Sequence, residues 1–76
     1  MKSFKIMLSS IIDVKNFVNR VNMFDYEIDL VSGRYVVDAK SIMGIFSLEL
    51  SKPIIARIYS ENTEQFEKDL KDFIVD

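Results

Sequence analysis

The sequence predicts an α+β fold in which a four-stranded antiparallel sheet carries three helices on one face. Two observations lead there. Stretches where apolar and polar residues alternate are interleaved with stretches where apolar residues recur every three or four positions, in the order βαββαβα. No internal repeat, linker or low-complexity tract divides the chain, so residues 1–76 read as a single domain. A chain of this length buries only about 60% of the surface its unfolded form exposes, so its stability must come from one compact core.

Phe4, Ile6 and Leu8 alternate with Lys5 and Met7, which predicts a first strand with one buried face. Ser10 and Asp13 stand at the separation of a capping box, and Val14, Phe17, Val18 and Val21 follow at helical spacing, giving a first helix that ends near Asn22. Tyr26, Ile28 and Leu30 alternate with Glu27 and Asp29, and after a Ser32-Gly33 turn the β-branched and aromatic run Arg34 to Asp38 completes a hairpin. Ser41 is a natural N-cap for a second helix over Ile42 to Leu50, because its hydroxyl can accept from an otherwise unpaired backbone N–H. Pro53 opens a fourth strand, Ile54 to Tyr59. Asn62 and Gln65 cap a last helix whose Phe66, Leu70, Phe73 and Ile74 form one stripe, with Glu64–Lys68 and Glu67–Lys71 pairs on its outer face.

Composition narrows the chemistry. Apolar residues make up 49% of the chain against two glycines and one proline, the balance of an ordered domain. A net charge of −2 with mixed signs gives no electrostatic attraction to nucleic acid or to an anionic membrane, and neither is expected as a partner. Without cysteine there is no disulfide framework, thiolate nucleophile or sulfur-ligated zinc. Without histidine the commonest general base and metal ligand are both missing, so no metal, cofactor or catalytic residue is expected. Met1 to Phe4 runs directly into the first alternation without a signal-like apolar block, and no run approaches the roughly 18 apolar residues of a membrane span, so the expected location is the cytoplasm. Lys5, Glu27, Asp29, Arg57 and Tyr59 should share the open face of the sheet, where paired carboxylates suit either acid–base chemistry or an ordinary solvated surface.

The most specific stretch is Lys40-Ser41-Ile42-Met43-Gly44-Ile45-Phe46-Ser47-Leu48. With the element order, it resembles the HPr family, the histidine-containing phosphocarriers of the bacterial sugar phosphotransferase system. Gram-positive members carry Lys-Ser-Ile-Met-Gly, apolar residues and Ser-Leu at the start of the second helix. Phe24-Asp25, Leu30 and Lys52 extend the resemblance over nearly the whole chain. It implies an HPr-like open-faced β-sandwich. The family's phosphocarrier site is a His-x-Arg-Pro sequence at the start of the first helix, where this chain has Ser10-Ile11-Ile12-Asp13 behind a shorter loop. The resemblance therefore implies a degenerate phosphocarrier loop at Ser10, Ile12 and Asp13, like the Crh-type paralogues in which the carrier histidine is replaced. Ser10 and Asp13 are either helix caps or replacement phosphoryl acceptors; Ser10 has no evident base, and Asp13 would set an anion against an incoming phosphate.

Ser41 matches the serine that a dedicated kinase phosphorylates in Gram-positive relatives, and the alternative is that it serves only as an N-cap. Ile45 and Leu48 fit a core stripe, which leaves Met43, Phe46 and Leu50 as a second stripe that either docks a partner or extends the core. By resemblance the docking surface comprises Lys40, Ile42, Met43, Phe46 and Leu50, and its partners are an HPr serine kinase, phosphotransferase enzymes or a transcriptional regulator of catabolite repression. Two functions follow: a regulatory binding protein switched at Ser41, or a non-catalytic scaffold or competitor within the sugar phosphotransferase system. An enzyme with a new site on this fold has no support in the sequence.

Overall fold

In a computed structural model, which describes residues 1–75, the elements occur in the expected order: β1 (Lys2–Ile6), α1 (Ile11–Val21), β2 (Ile28–Ser32), β3 (Tyr35–Asp38), α2 (Ile42–Phe46), β4 (Ile54–Ile58) and α3 (Glu64–Asp69). The strands form one antiparallel sheet in the order β1-β4-β2-β3. In the register, Phe4 lies across from Ala56, Ala56 from Leu30 and Leu30 from Val37, so one rung of the buried face crosses all four strands. Val14, Phe17 and Val21 of α1, Ile45 of α2 and Phe66 of α3 complete the core over that face. This is the open-faced sandwich anticipated from the patterning.

The cap of α1 forms with a variation. The Asp13 N–H donates to Ser10 Oγ at 3.1 Å, while the Asp13 carboxylate accepts from the N–H of Ser9, not Ser10, at 3.0 Å. The Asp13 N–H, which helix formation leaves without a partner, and the Ser9 N–H just before the cap are thereby both satisfied by one pair of side chains. In the hairpin, Gly33 has φ +60° at the first of two central positions, the left-handed conformation a type II′ turn asks of glycine. The last helix is capped differently: Asn62 Oδ1 accepts from the Glu64 N–H at 3.2 Å, while the buried Thr63 donates its hydroxyl to Glu67 at 2.8 Å. Glu67 is thereby engaged on its own helix.

Several boundaries differ from those expected. β1 and β2 lie two residues off the predicted spans, Lys2–Ile6 instead of Phe4–Leu8 and Ile28–Ser32 instead of Tyr26–Leu30, although the predicted inward residues Ile6, Leu8, Ile28 and Leu30 are all buried. β4 stops at Ile58, one residue early. The second helix is five residues long and does not reach Leu50. Its end tightens as the Ser47 and Leu48 N–H groups bond carbonyls three residues back, and Ser47 Oγ takes the Gly44 carbonyl; Leu48 remains buried beyond the helix. The last helix ends at Asp69, not Ile74. Arg20 donates to the free Asp69 carbonyl at 2.8 Å, and the chain then turns to lie along the exposed edge of β1, where Met7 N–H meets the Phe73 carbonyl and Val75 N–H meets that of Lys5. Pairing with β1 replaces further helical turns, while Phe66, Leu70 and Phe73 keep their places in the core.

Phe66 joins the covering layer to the sheet. Fully buried, it stacks on Phe4 at 5.6 Å and lies 6.0 Å from Phe24, which in turn stacks on Tyr26 at 5.3 Å. We expect Phe66→Ala to lower unfolding free energy by about 3–5 kcal/mol in urea titrations, enough to unfold much of so small a domain. Burial raises the Tyr26 phenol above its usual value, and the nearby Asp69 carboxylate acts in the same direction. The folded state thus favours the neutral phenol. Stability tied to this group is complete below the ordinary tyrosine value of about 10 and declines as pH rises through the raised folded-state value. Urea titrations from neutral to strongly alkaline pH should show a shallower alkaline loss in Tyr26→Phe than in the parent protein.

Candidate functional site

The loop between β1 and α1 meets α2 at one end of the sandwich. Leu8, Ser9, Ser10 and Ile11 on one side and Phe46 and Leu50 on the other line a cavity of about 270 Å³. Of its lining, Ile11 is 64% exposed and Phe46 43%; Ile12, next to Ile11 on α1, and Met43, three residues before Phe46 on α2, are 68% and 77% exposed. Apolar side chains this exposed lose water on contact with a partner, at roughly 25 cal/mol per Å² of apolar area covered.

α2 is held against the sheet by a close approach at Gly44. A β-carbon there would lie 3.2 Å from Val37 Cβ and 3.3 Å from Ser41 Oγ, so glycine lets the helix sit near β3 while leaving the serine hydroxyl unobstructed. Ser41 caps α2 by accepting from the Gly44 N–H at 3.2 Å and is exposed. The turn leading into it is fixed by Asp38, whose carboxylate accepts from Lys40 N–H at 2.8 Å and whose carbonyl accepts from Ser41 N–H at 3.0 Å. No acidic residue occupies the first turn of α2.

The sequence-derived residues fall into three groups. Met43 and Phe46 are exposed on α2, Phe46 facing the loop across the cavity, with Leu50 half-buried in the cavity wall. Ile42 packs against the core and offers only part of its side chain. Lys40 is also half-buried and directs its ammonium group to the Phe24 carbonyl at 2.6 Å, tying α2's entrance to the end of α1. In the loop, Ser10 and Asp13 are engaged in the α1 cap, and Ile12 points an apolar side chain into solvent.

Ile11 was not among the expected site residues. It occupies the first turn of α1, is mostly exposed and lines the cavity together with Phe46. Only the packing of two elements distant in sequence reveals it. Among the described residues, no group of three or more histidine, cysteine or acidic side chains is arranged to hold a metal ion, and no helix is long and apolar enough to cross a membrane.

On the open face, Ser3, Arg57, Asp29 and Asp38 share one rung, and Tyr59 donates its hydroxyl to Asp29 at 3.0 Å. The next rung is Lys5, Ile55, Val31 and Val36, which is more apolar than the expected charged surface.

A scan of the sequence against protein-family models finds no match, and a search of curated proteins finds none either. Solved structures do match. HPr-C-His from Thermoanaerobacter tengcongensis superposes with a TM-score of 0.79 at 28% identity, over 95% of this chain and 89% of that one. Phosphocarrier protein HPr from Bacillus anthracis str. Ames gives a TM-score of 0.67 at 25% identity, over 97% and 94% of the two chains. The histidine-containing phosphocarrier protein of Mycoplasma matches in fold, with a TM-score of 0.73 at 13% identity over 93% and 89%. Strand order, covering helices and the Lys40–Leu48 stretch agree in making this chain, which contains no histidine, similar to the HPr phosphocarrier proteins over nearly its whole length.

Proposed function

We propose that this protein is a regulatory binding module related to the sugar phosphotransferase system, of the Crh-like kind, that docks protein partners through α2 and does not carry phosphate on histidine. The observation that carries this reading is the cavity where the β1–α1 loop meets α2. Apolar side chains surround it, and the chain has no histidine to act as a phosphoryl acceptor. A phosphocarrier needs an imidazole nitrogen that is nucleophilic at neutral pH and a cation to hold the phosphoryl oxygens. At the corresponding loop this protein has a serine and an aspartate that cap α1 and two exposed isoleucines. The surface suits recognition by desolvation. HPr-family proteins work by contact with other proteins and not as catalysts, and the same is proposed here, with an HPr serine kinase, a phosphotransferase enzyme or a transcriptional regulator as the partner.

Ser41 is the proposed switch. Its hydroxyl is exposed at the start of α2, with no carboxylate in the first helical turn to repel a phosphate. A phosphoserine there adds about −1.5 to −2 charges and three strong acceptor oxygens beside the Gly44 N–H. A charge of that size beside Met43 and Phe46 alters which partners the apolar surface accepts.

Incubation with ATP and a Gram-positive HPr serine kinase, followed by intact-mass spectrometry, should add one phosphate to the native chain and none to Ser41→Ala. No phosphate on either chain would overturn the switch and leave the scaffold reading. With phosphoenolpyruvate and the transferring enzyme of the sugar system, the native chain should gain no phosphate. Phe46→Asp should keep the parent melting temperature, because Phe46 lies outside the core, and should weaken kinase docking by about 2 kcal/mol, roughly thirtyfold, as a rise in KM.

A further inference from the structure

The sheet has two edges, and they differ. The β1 edge is partly covered by residues 73–75. At the β3 edge, hydrogen-bonded pairs alternate with non-bonded ones along the ladder to β2. Because Ala39 N–H donates to the Ile28 carbonyl at 2.9 Å, the bonded pairs continue through Leu30↔Val37 and Ser32↔Tyr35. Val36 therefore directs both its N–H and its carbonyl away from β2, and Asp38 directs its N–H the same way. Tyr35 and Val36, 69% and 53% exposed, stand on this edge, and the strand contains none of the prolines that commonly protect one.

The edge sequence Arg34-Tyr35-Val36-Val37-Asp38 is complementary to its own reverse. We propose that β3 pairs antiparallel with β3 of a second copy of this chain, about a two-fold axis at Val36, to make one continuous sheet. In that register Arg34 faces Asp38 of the other copy at both ends, Tyr35 faces Val37, and the Val36 N–H and carbonyl of each copy meet those of the other. Moving the axis two residues either way would set Arg34 against Arg34 or Asp38 against Asp38, and a parallel alignment would oppose like charges at both ends. Charge thus selects one register. The apolar rung Ile55, Val31 and Val36 on the open face would then run across the junction into its counterpart. The other edge competes poorly, because beyond Phe4 it is occupied by the chain's own C-terminal segment. Edge pairing over so short a strand covers much less than the roughly 1,200–2,000 Å² of a stable interface, so the dimer forms and separates readily, with a dissociation constant of roughly 0.1–1 mM.

Sedimentation equilibrium on the full chain from about 20 µM to about 1 mM, with amide NMR shifts followed over the same range, tests the proposal. A monomer–dimer equilibrium is expected, with concentration-dependent shifts centred on residues 34–38. Val36→Pro removes an outward N–H and no bond to β2, so it should abolish dimerisation while retaining the fold. Arg34→Glu, an exposed change in the turn, sets like charges across the axis and should weaken dimerisation at least about fivefold; it decides the matter if the proline variant does not fold. A chain that stays monomeric at the highest concentration, a dimer unaffected by Arg34→Glu, or shifts centred on Ile11, Met43 and Phe46 would each overturn pairing through β3.

Discussion

A sheet covered on only one face limits how many apolar side chains this protein can bury, and much of its surface follows from that limit. Nearly half of its 76 residues are apolar. The buried rungs of four short strands and the inner faces of three helices take Ile6, Phe17, Leu30, Ile45, Ala56 and Phe66 to complete burial. Other apolar residues lie outside; some, such as Met1 and Met23, stand apart from the rest, but two groups do not. Ile11 and Phe46 meet where the first loop approaches α2, with exposed Ile12 and Met43 on the same two helices, while Val31, Val36 and Ile55 form a rung on the open face ending at β3. Exposed apolar groups collected in two places mark surfaces available for association.

The same limit explains which features were legible in the sequence. Residues that pack inward obey the periodicities of strand and helix, so Val14, Phe17, Val21, Ile45, Leu48, Phe66 and Leu70 were identified as core positions from spacing, and the structure buries all of them. Caps were legible because Ser10, Asp13 and Ser41 act within a few residues of themselves. Element ends were less so. The last helix gives way at Asp69 because Arg20, 49 positions earlier, takes its carbonyl and because β1 offers an open edge, and neither partner is close in sequence. Ile11 was not singled out for a similar reason: its place in the cavity wall depends on Phe46 and Leu50, far from it in sequence.

The start of α1 is stabilised by side chains that act only on their immediate neighbours. A capping pair needs an acceptor at the helix start and a carboxylate three residues on, and Ser10 with Asp13 meet that need as an isolated unit. On the reading proposed above, the start of α1 is kept in a chain that has no histidine to accept a phosphoryl group, and the Asp13 carboxylate there would repel an incoming phosphate.

Asp38 links the two surfaces. Its backbone closes β3, its carboxylate holds the Lys40 N–H and its carbonyl holds the Ser41 N–H, so one residue ends the free edge and fixes the serine that starts α2. Lys40 then reaches back to the Phe24 carbonyl and ties that turn to the end of α1. A charge added at Ser41 would stand three residues from the carboxylate that meets Arg34 in the proposed β3 pairing, and it would act there through an ordered turn. Modification at the helix start and association at the edge would then be linked through the charges at the two ends of one turn.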